Sequence, residues 1–300
     1  MPDPIFAVEH VRRMNGGSQA QLMKCSDGRF YVIKFQNNPQ GPRILANEFL
    51  ACSLALHLGL PVAAPQVVEV SGELTLTVDD LRIQRQGSSD RVKPGLCFGS
   101  QHPCEFTVEN EKPPDRPFDQ LPEERLRSVE NLSDFAGMFV FDVWTMNVDD
   151  RQVVFFQRKQ ERKWKALMID NGNCFNGSRW NFPRKKRMHV YPKRLVYEPI
   201  RGFESLRPWL DRIENRIDES VLTACAQNIP TGWYKGNTQS LSRLLNQLDF
   251  RRRNITRIVW QVYKHCCSRG MMPSPSQDSR QIAAFPRPEM TRLLRSKNSR

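Results

Sequence analysis

Two short apolar runs, Arg151 to Gln157 (RQVVFFQ) and Lys163 to Ile169 (KWKALMI), flank the polar stretch RKQER. β-branched and aromatic residues on both sides of a polar turn predict two paired strands. An earlier stretch, Val11 to Met23 (VRRMNGGSQAQLM), predicts a strand, a turn at Gly16-Gly17-Ser18 and a second strand. Asp27-Gly28 marks the next turn, followed by a strand over Arg29 to Phe35 (RFYVIKF). Arg43 to Leu58 reads as a helix instead. Ile44, Leu45, Phe49, Cys52 and Leu56 form its broad apolar face, and Gly59 and Pro61 stop it. Ser133 to Asn147 (SDFAGMFVFDVWTMN) predicts a second apolar helix with Ser133 as its cap, and Ser240 to Cys266 predicts late amphipathic helices.

Strands early and helices late predict an α+β chain, long enough for one large domain or two lobes. Residues 1–125 form the β-rich lobe, which contains the 43–58 helix and ends in the Pro-rich segment EKPPDRPFDQLP; residues 126–268 form the mainly helical lobe. The tail, 269–300, is rich in Pro, Ser and Arg and has too little apolar pattern to fold alone. The chain has 300 residues, enough for such lobes to bury sizeable cores. It shows no N-terminal apolar signal region and no apolar run of membrane-spanning length, so a cytoplasmic protein away from membranes is expected. The eight cysteines are scattered without a Cys-x-x-Cys pair and read as reduced, small hydrophobes. Cys97, His102 and Cys104 lack both a fourth ligand and a recognised zinc spacing.

Charge divides the chain. Residues 1–150 carry 14 Lys and Arg against 21 Asp and Glu, whereas residues 151–300 carry 31 against 11. The partner-facing surface is therefore expected in the second half. Arg184-Lys185-Lys186-Arg187 suits an acidic or phosphate-bearing substrate, including RNA or an RNA-bound protein, although a solvated loop has the same composition. Arg251-Arg252-Arg253, on a predicted helix, reads as a solvated face. No aromatic-basic motif of a known nucleic-acid binder accompanies the charge.

The candidate chemistry starts from the 151–169 hairpin. In an antiparallel pair the start of one strand lies beside the end of the other, so Asp149 and Asp170 are expected to meet at its open end. Two carboxylates placed together can share work on a metal and a proton; each alone is also an ordinary turn residue. Upstream, the glycine turn can present backbone N–H groups to phosphates. Lys34 lies within a predicted strand, and Glu48 is the only acidic residue of the 43–58 helix. A carboxylate on so apolar a helix needs a partner, and Lys34, fourteen positions upstream, is the candidate.

The order of glycine turn, strand lysine, helix glutamate and aspartate hairpin resembles the HipA-like kinases, a bacterial branch of the protein-kinase-like fold. The resemblance covers roughly residues 8–265 and rests on GGSQA, VIKFQNN, LANEFLA, FDVWTMNVDDRQ and MIDNGNCF. It implies a two-lobed fold, ATP with magnesium in the cleft, and phosphoryl transfer to a hydroxyl, most readily a protein Ser or Thr. By position it makes Lys34 the nucleotide lysine, supported by Glu48, and gives Gly16, Gly17, Ser18 and Gln19 the nucleotide turn. It likewise makes Asp149 the catalytic aspartate and Asp170 the metal aspartate, with Asp170-Asn171-Gly172 standing where many kinases have Asp-Phe-Gly. One departure is clear: Val154 occupies the position, five after Asp149, where kinases place a second magnesium ligand. Gln152 is the nearest amide and is taken as the alternative ligand. This substitution keeps a second reading open, a catalytically weak nucleotide-binding module that docks a partner through its basic half. The parts of HipA that contact its antitoxin have no match here, so no antitoxin partner is implied.

Overall fold

The computed structural model describes residues 4–103, 117–158, 161–183 and 190–272. The basic run 184–187, Cys104 and nearly all of the tail lie outside the described residues, as does the first half of the Pro-rich segment, 111–116.

The first half is built on strands β1 (Ile5–Arg13), β2 (Gln21–Cys25), β3 (Phe30–Lys34), β4 (Pro65–Val70) and, after a small hairpin of β5 (Arg82–Arg85) and β6 (Ser88–Arg91), β7 (Gly95–Gln101). They close into a barrel in the order β1-β2-β3-β7-β4, with a parallel β1–β4 contact at Ile5↔Val68 and Phe6↔Glu69. Alternate side chains point inward, so Met23, Tyr31, Ile33, Val68 and Cys97 fill the barrel as a core of its own.

Helix α1 (Arg43–His57) follows β3. Its end explains why the chain turns at Gly59: that residue sits at φ +77°, and the N–H groups of Gly59 and Leu60 return to the carbonyls of Leu56 and Ala55. This is the double bond of a left-handed glycine cap. Although α1 lies in the β-rich half of the sequence, Leu45, Leu50 and Leu54 join the core of the helical half. Short helix α2 (Gly72–Thr77) connects β4 to the β5–β6 hairpin.

The second half contains α3 (Glu123–Leu126), α4 (Asp134–Thr145), the β8 (Gln152–Phe156) and β9 (Lys165–Ile169) pair, then α5 (Arg207–Arg216), α6 (Glu219–Gln227), α7 (Thr238–Arg252) and α8 (Ile255–Ser268). Helix α4 is almost wholly buried, with Phe135, Phe139, Phe141 and Trp144 packed in the larger core. Ser133 does not cap it, because its own backbone is already helical; Asn131 reaches the first-turn Asp134 instead, at 3.2 Å. The arginines at 251–253 also differ from the expected solvated face. Arg251 donates to the Trp144 carbonyl at 2.7 Å, Arg252 donates to the Glu214 carbonyl at 2.9 Å and pairs with Asp249, and only Arg253 is largely exposed. The Arg251 and Arg252 donors satisfy carbonyls at helix ends, which are left without partners inside a helix. Among the described residues no helix is long and apolar enough to cross a membrane.

Candidate active site

A cavity of about 430 Å³ lies between the barrel and the helical half. One wall comes from the glycine turn and β3 (Gly16, Ser18, Val32, Lys34), another from the β8–β9 pair and its open end (Asp150, Gln152, Val154, Leu167, Asp170).

Strand β3 delivers Lys34 to the inner end, where burial leaves it 7% exposed. Its ammonium pairs with Glu48 of α1 and donates to Asp170 Oδ1 at 3.0 Å. Burial alone would favour the neutral amine, but the two carboxylates outweigh it and hold the pKa above the ordinary lysine range. Burial dominates at Glu48 and raises its pKa, whereas at Asp170 the opposing push of burial is overcome by Lys34 and the carboxyl lies below its usual range. Asp170 is thus the ionised oxygen donor that this cluster turns toward the cavity.

Asp170 sits one residue past the end of β9. The pair is in register from Gln152↔Ile169 to Phe156↔Lys165, so Gln152 lies beside the strand end that leads into Asp170. The following Gly172 has a packing reason to lack a side chain: a Cβ there would come within 2.5 Å of Ile44 Cγ2 and 3.2 Å of Glu48 Oε1. The segment is bound to α1 in two further ways. The Asn171 N–H donates to Glu48 Oε2 at 3.0 Å, and the buried Asn47 amide donates to the carbonyls of Gly172 and Gly177 at 2.7 and 3.0 Å.

Asp149 lies in the turn after α4. Its Oδ1 accepts from the Asp150 N–H at 2.9 Å, and its Oδ2 accepts from Asn173 Nδ2 at 3.0 Å. That second bond ties the turn before β8 to the segment after β9, which brings the surroundings of the two aspartates together. Asp150, more exposed, lines the cavity itself, whereas Asp149 does not.

The glycine turn is less uniform than the sequence suggested. Gly16 (φ +117°) and Ser18 line the cavity, but Gly17 does not. Gln19 commits its amide to the backbone of Gln84, donating to the carbonyl and accepting from the N–H at 2.7 Å each, and also accepts from Arg13. It therefore braces the turn against β5. Val154 is buried in β8 and lines the cavity without any oxygen to offer.

Sequence reasoning missed the polar residues buried under this site. Asp142 and Arg151 form an ion pair at 2% exposure each, with Arg151 Nε donating to Asp142 Oδ2 at 2.9 Å. Asn47 and Asn171 are fully buried. One signal was available: Asp142 is a lone charge in the apolar run of α4, the same anomaly that marked Glu48 in α1.

The cavity lining includes hard oxygen donors from Asp170, Asp150 and Gln152, the kind magnesium takes. Among the described residues no group of three or more His, Cys, Asp or Glu can hold a metal on its own. A cation held here would take the rest of its shell from water or from a ligand's oxygens.

The HipA-like kinase pattern matches residues 7–265. The chain belongs to the HipA-like kinase family. Among solved structures it is similar to the Helicobacter pylori proinflammatory kinase CtkA, with 15% identity and a TM-score of 0.52 over 86% of this chain and 96% of that one. That likeness shows the protein-kinase-like fold. A looser similarity, carrying no weight here, is to the Golgi casein kinase with Mn/ADP bound, with 14% identity and a TM-score of 0.40 over 85% of this chain and 73% of that one. Comparison with curated proteins finds no match. As a HipA-like kinase the chain has its strand lysine, helix glutamate and hairpin aspartate in mutual contact.

Proposed function

We propose that the protein is an ATP-dependent phosphotransferase that uses magnesium and acts on a Ser or Thr hydroxyl of a protein. The observation that carries this reading is the Lys34–Glu48–Asp170 cluster at the inner end of a cavity flanked by a glycine turn. In this reading Lys34 holds the nucleotide's phosphates, Glu48 fixes the ammonium, and Gly16 and Ser18 approach the phosphates from above. Asp170, with Gln152, would hold magnesium, which when bound neutralises charge on the transferring phosphates. Asp149 orients the incoming hydroxyl and takes its proton. Val32, Val154 and Leu167 give the cavity apolar walls suited to a base.

The proton acceptor is tested by comparing Asp149→Asn with Asp150→Asn in an ATP-consumption assay with magnesium. Asp149→Asn is expected to lower turnover by about 10²- to 10⁴-fold, the usual contribution of a general base, with nucleotide affinity nearly unchanged. Because Asp150 lines the cavity, its variant is the control that decides between the two: full loss in Asp150→Asn with activity retained in Asp149→Asn would move the role by one residue. A second reading, a nucleotide-binding module of weak catalysis that docks an acidic or phosphate-bearing protein through its basic half, is favoured by Val154. Nucleotide binding without turnover in the wild type would establish it.

A further inference from the structure

Asp170 adopts φ +54°, a left-handed conformation that costs energy for any residue with a side chain. Something must hold it there. The residues on its two sides are gripped by a single side chain: Arg151 Nη1 donates to the Ile169 carbonyl at 2.9 Å and to Asn171 Oδ1 at 3.0 Å. The rest of that guanidinium is anchored on Asp142 of α4, through Nε at 2.9 Å and through Nη2. Four of its five N–H donors are therefore engaged within the protein, and the residue is 2% exposed. It has no fork left for a phosphate.

We propose that Arg151 is a positioning residue for Asp170: it clasps both neighbours of that aspartate and fixes its carboxylate for the magnesium–nucleotide complex. The inference rests on the proposed function, because it assigns Asp170 the cation. The fork geometry is essential to it. A lysine can neutralise Asp142, but its three donors radiate from one nitrogen and lack the planar fork that reaches Asp142, Ile169 and Asn171 together. The nearby grip of Lys34 on Asp170 acts on the carboxylate itself, so Arg151 sets the backbone while Lys34 sets the charge.

Two variants test this without stranding a buried charge. Arg151→Lys keeps the pairing with Asp142, and Asn171→Ala removes one half of the clasp while leaving the Arg151–Asp142 pair intact. Each is titrated calorimetrically with a non-hydrolysable ATP analogue, at several magnesium concentrations and in chelator. Both are expected to raise the magnesium concentration needed for half-maximal analogue binding by about 10- to 100-fold, as loss of a ligand's outer partner does, with metal-free affinity unchanged. A purely structural role would lower the melting temperature of both variants and leave the magnesium dependence at the wild-type value, and that result overturns the inference while the proposed function stands. A wild type that binds the analogue with no magnesium dependence removes the assignment of Asp170 and this inference together.

Discussion

At the scale of single residues, the chain repeatedly buries a charge and then surrounds it. Glu48 is 2% exposed and survives there because Lys34 and the Asn171 N–H meet its two oxygens. His102, at the end of β7 and 5% exposed, is handled differently. Burial, reinforced by Arg12, lowers its pKa to about 4 from 6.5. The unfolded chain takes up that proton near pH 6.5, but the folded chain does so only near pH 4. The contribution to stability is therefore complete above about pH 6.5 and is lost progressively as pH falls from there to about 4, an effect on the order of 3 kcal/mol. Urea unfolding at pH 7 and pH 4.5 measures it: His102→Gln should lose less stability across that interval than the wild type, and equal losses would show that His102 does not titrate as its surroundings imply.

At the scale of elements, the site depends on how closely α1 approaches the Asp170–Gly172 segment. Gly172→Ala would push its new Cβ against Ile44 and Glu48. Overpacking of this kind typically costs about 1 to 3 kcal/mol, and here it also displaces the helix that carries Glu48. The variant should melt earlier and bind nucleotide more weakly. An unchanged melting temperature with unchanged affinity would show that α1 yields without disturbing Lys34.

The same elements show what the sequence could reveal. The hairpin was readable because β8 and β9 are dense in β-branched and aromatic residues, and the pairing of Lys34 with Glu48 was readable because a lone carboxylate stood in an apolar helix. The role of Gln19 was not readable, since its partner is the backbone of Gln84, 65 residues away, and backbone carries no sequence signal. The Arg251–Arg252 pair was misread for a related reason: arginines that satisfy helix-end carbonyls have the same composition as a solvated face. The clasp of Arg151 on Ile169 and Asn171 arises only once the hairpin has closed.

At the scale of the whole molecule, two cores meet across the cavity. The barrel has its own interior, while α1 packs with the helical half, so Lys34 and Glu48 belong to different packed bodies and their ion pair bridges them. Asp170 adds the third point of contact. In the proposed function this bridge is the binding site for magnesium and a nucleoside triphosphate. It is tested most directly by calorimetric titration of a non-hydrolysable ATP analogue, with and without magnesium, into the wild type and Lys34→Met. Saturable, magnesium-strengthened binding to the wild type is expected. For Lys34→Met the expected loss is about 1.5 to 3 kcal/mol, the worth of a charged hydrogen bond, or roughly a 10- to 150-fold larger dissociation constant. Absence of analogue binding to the folded wild type, or identical affinity in Lys34→Met, would contradict it.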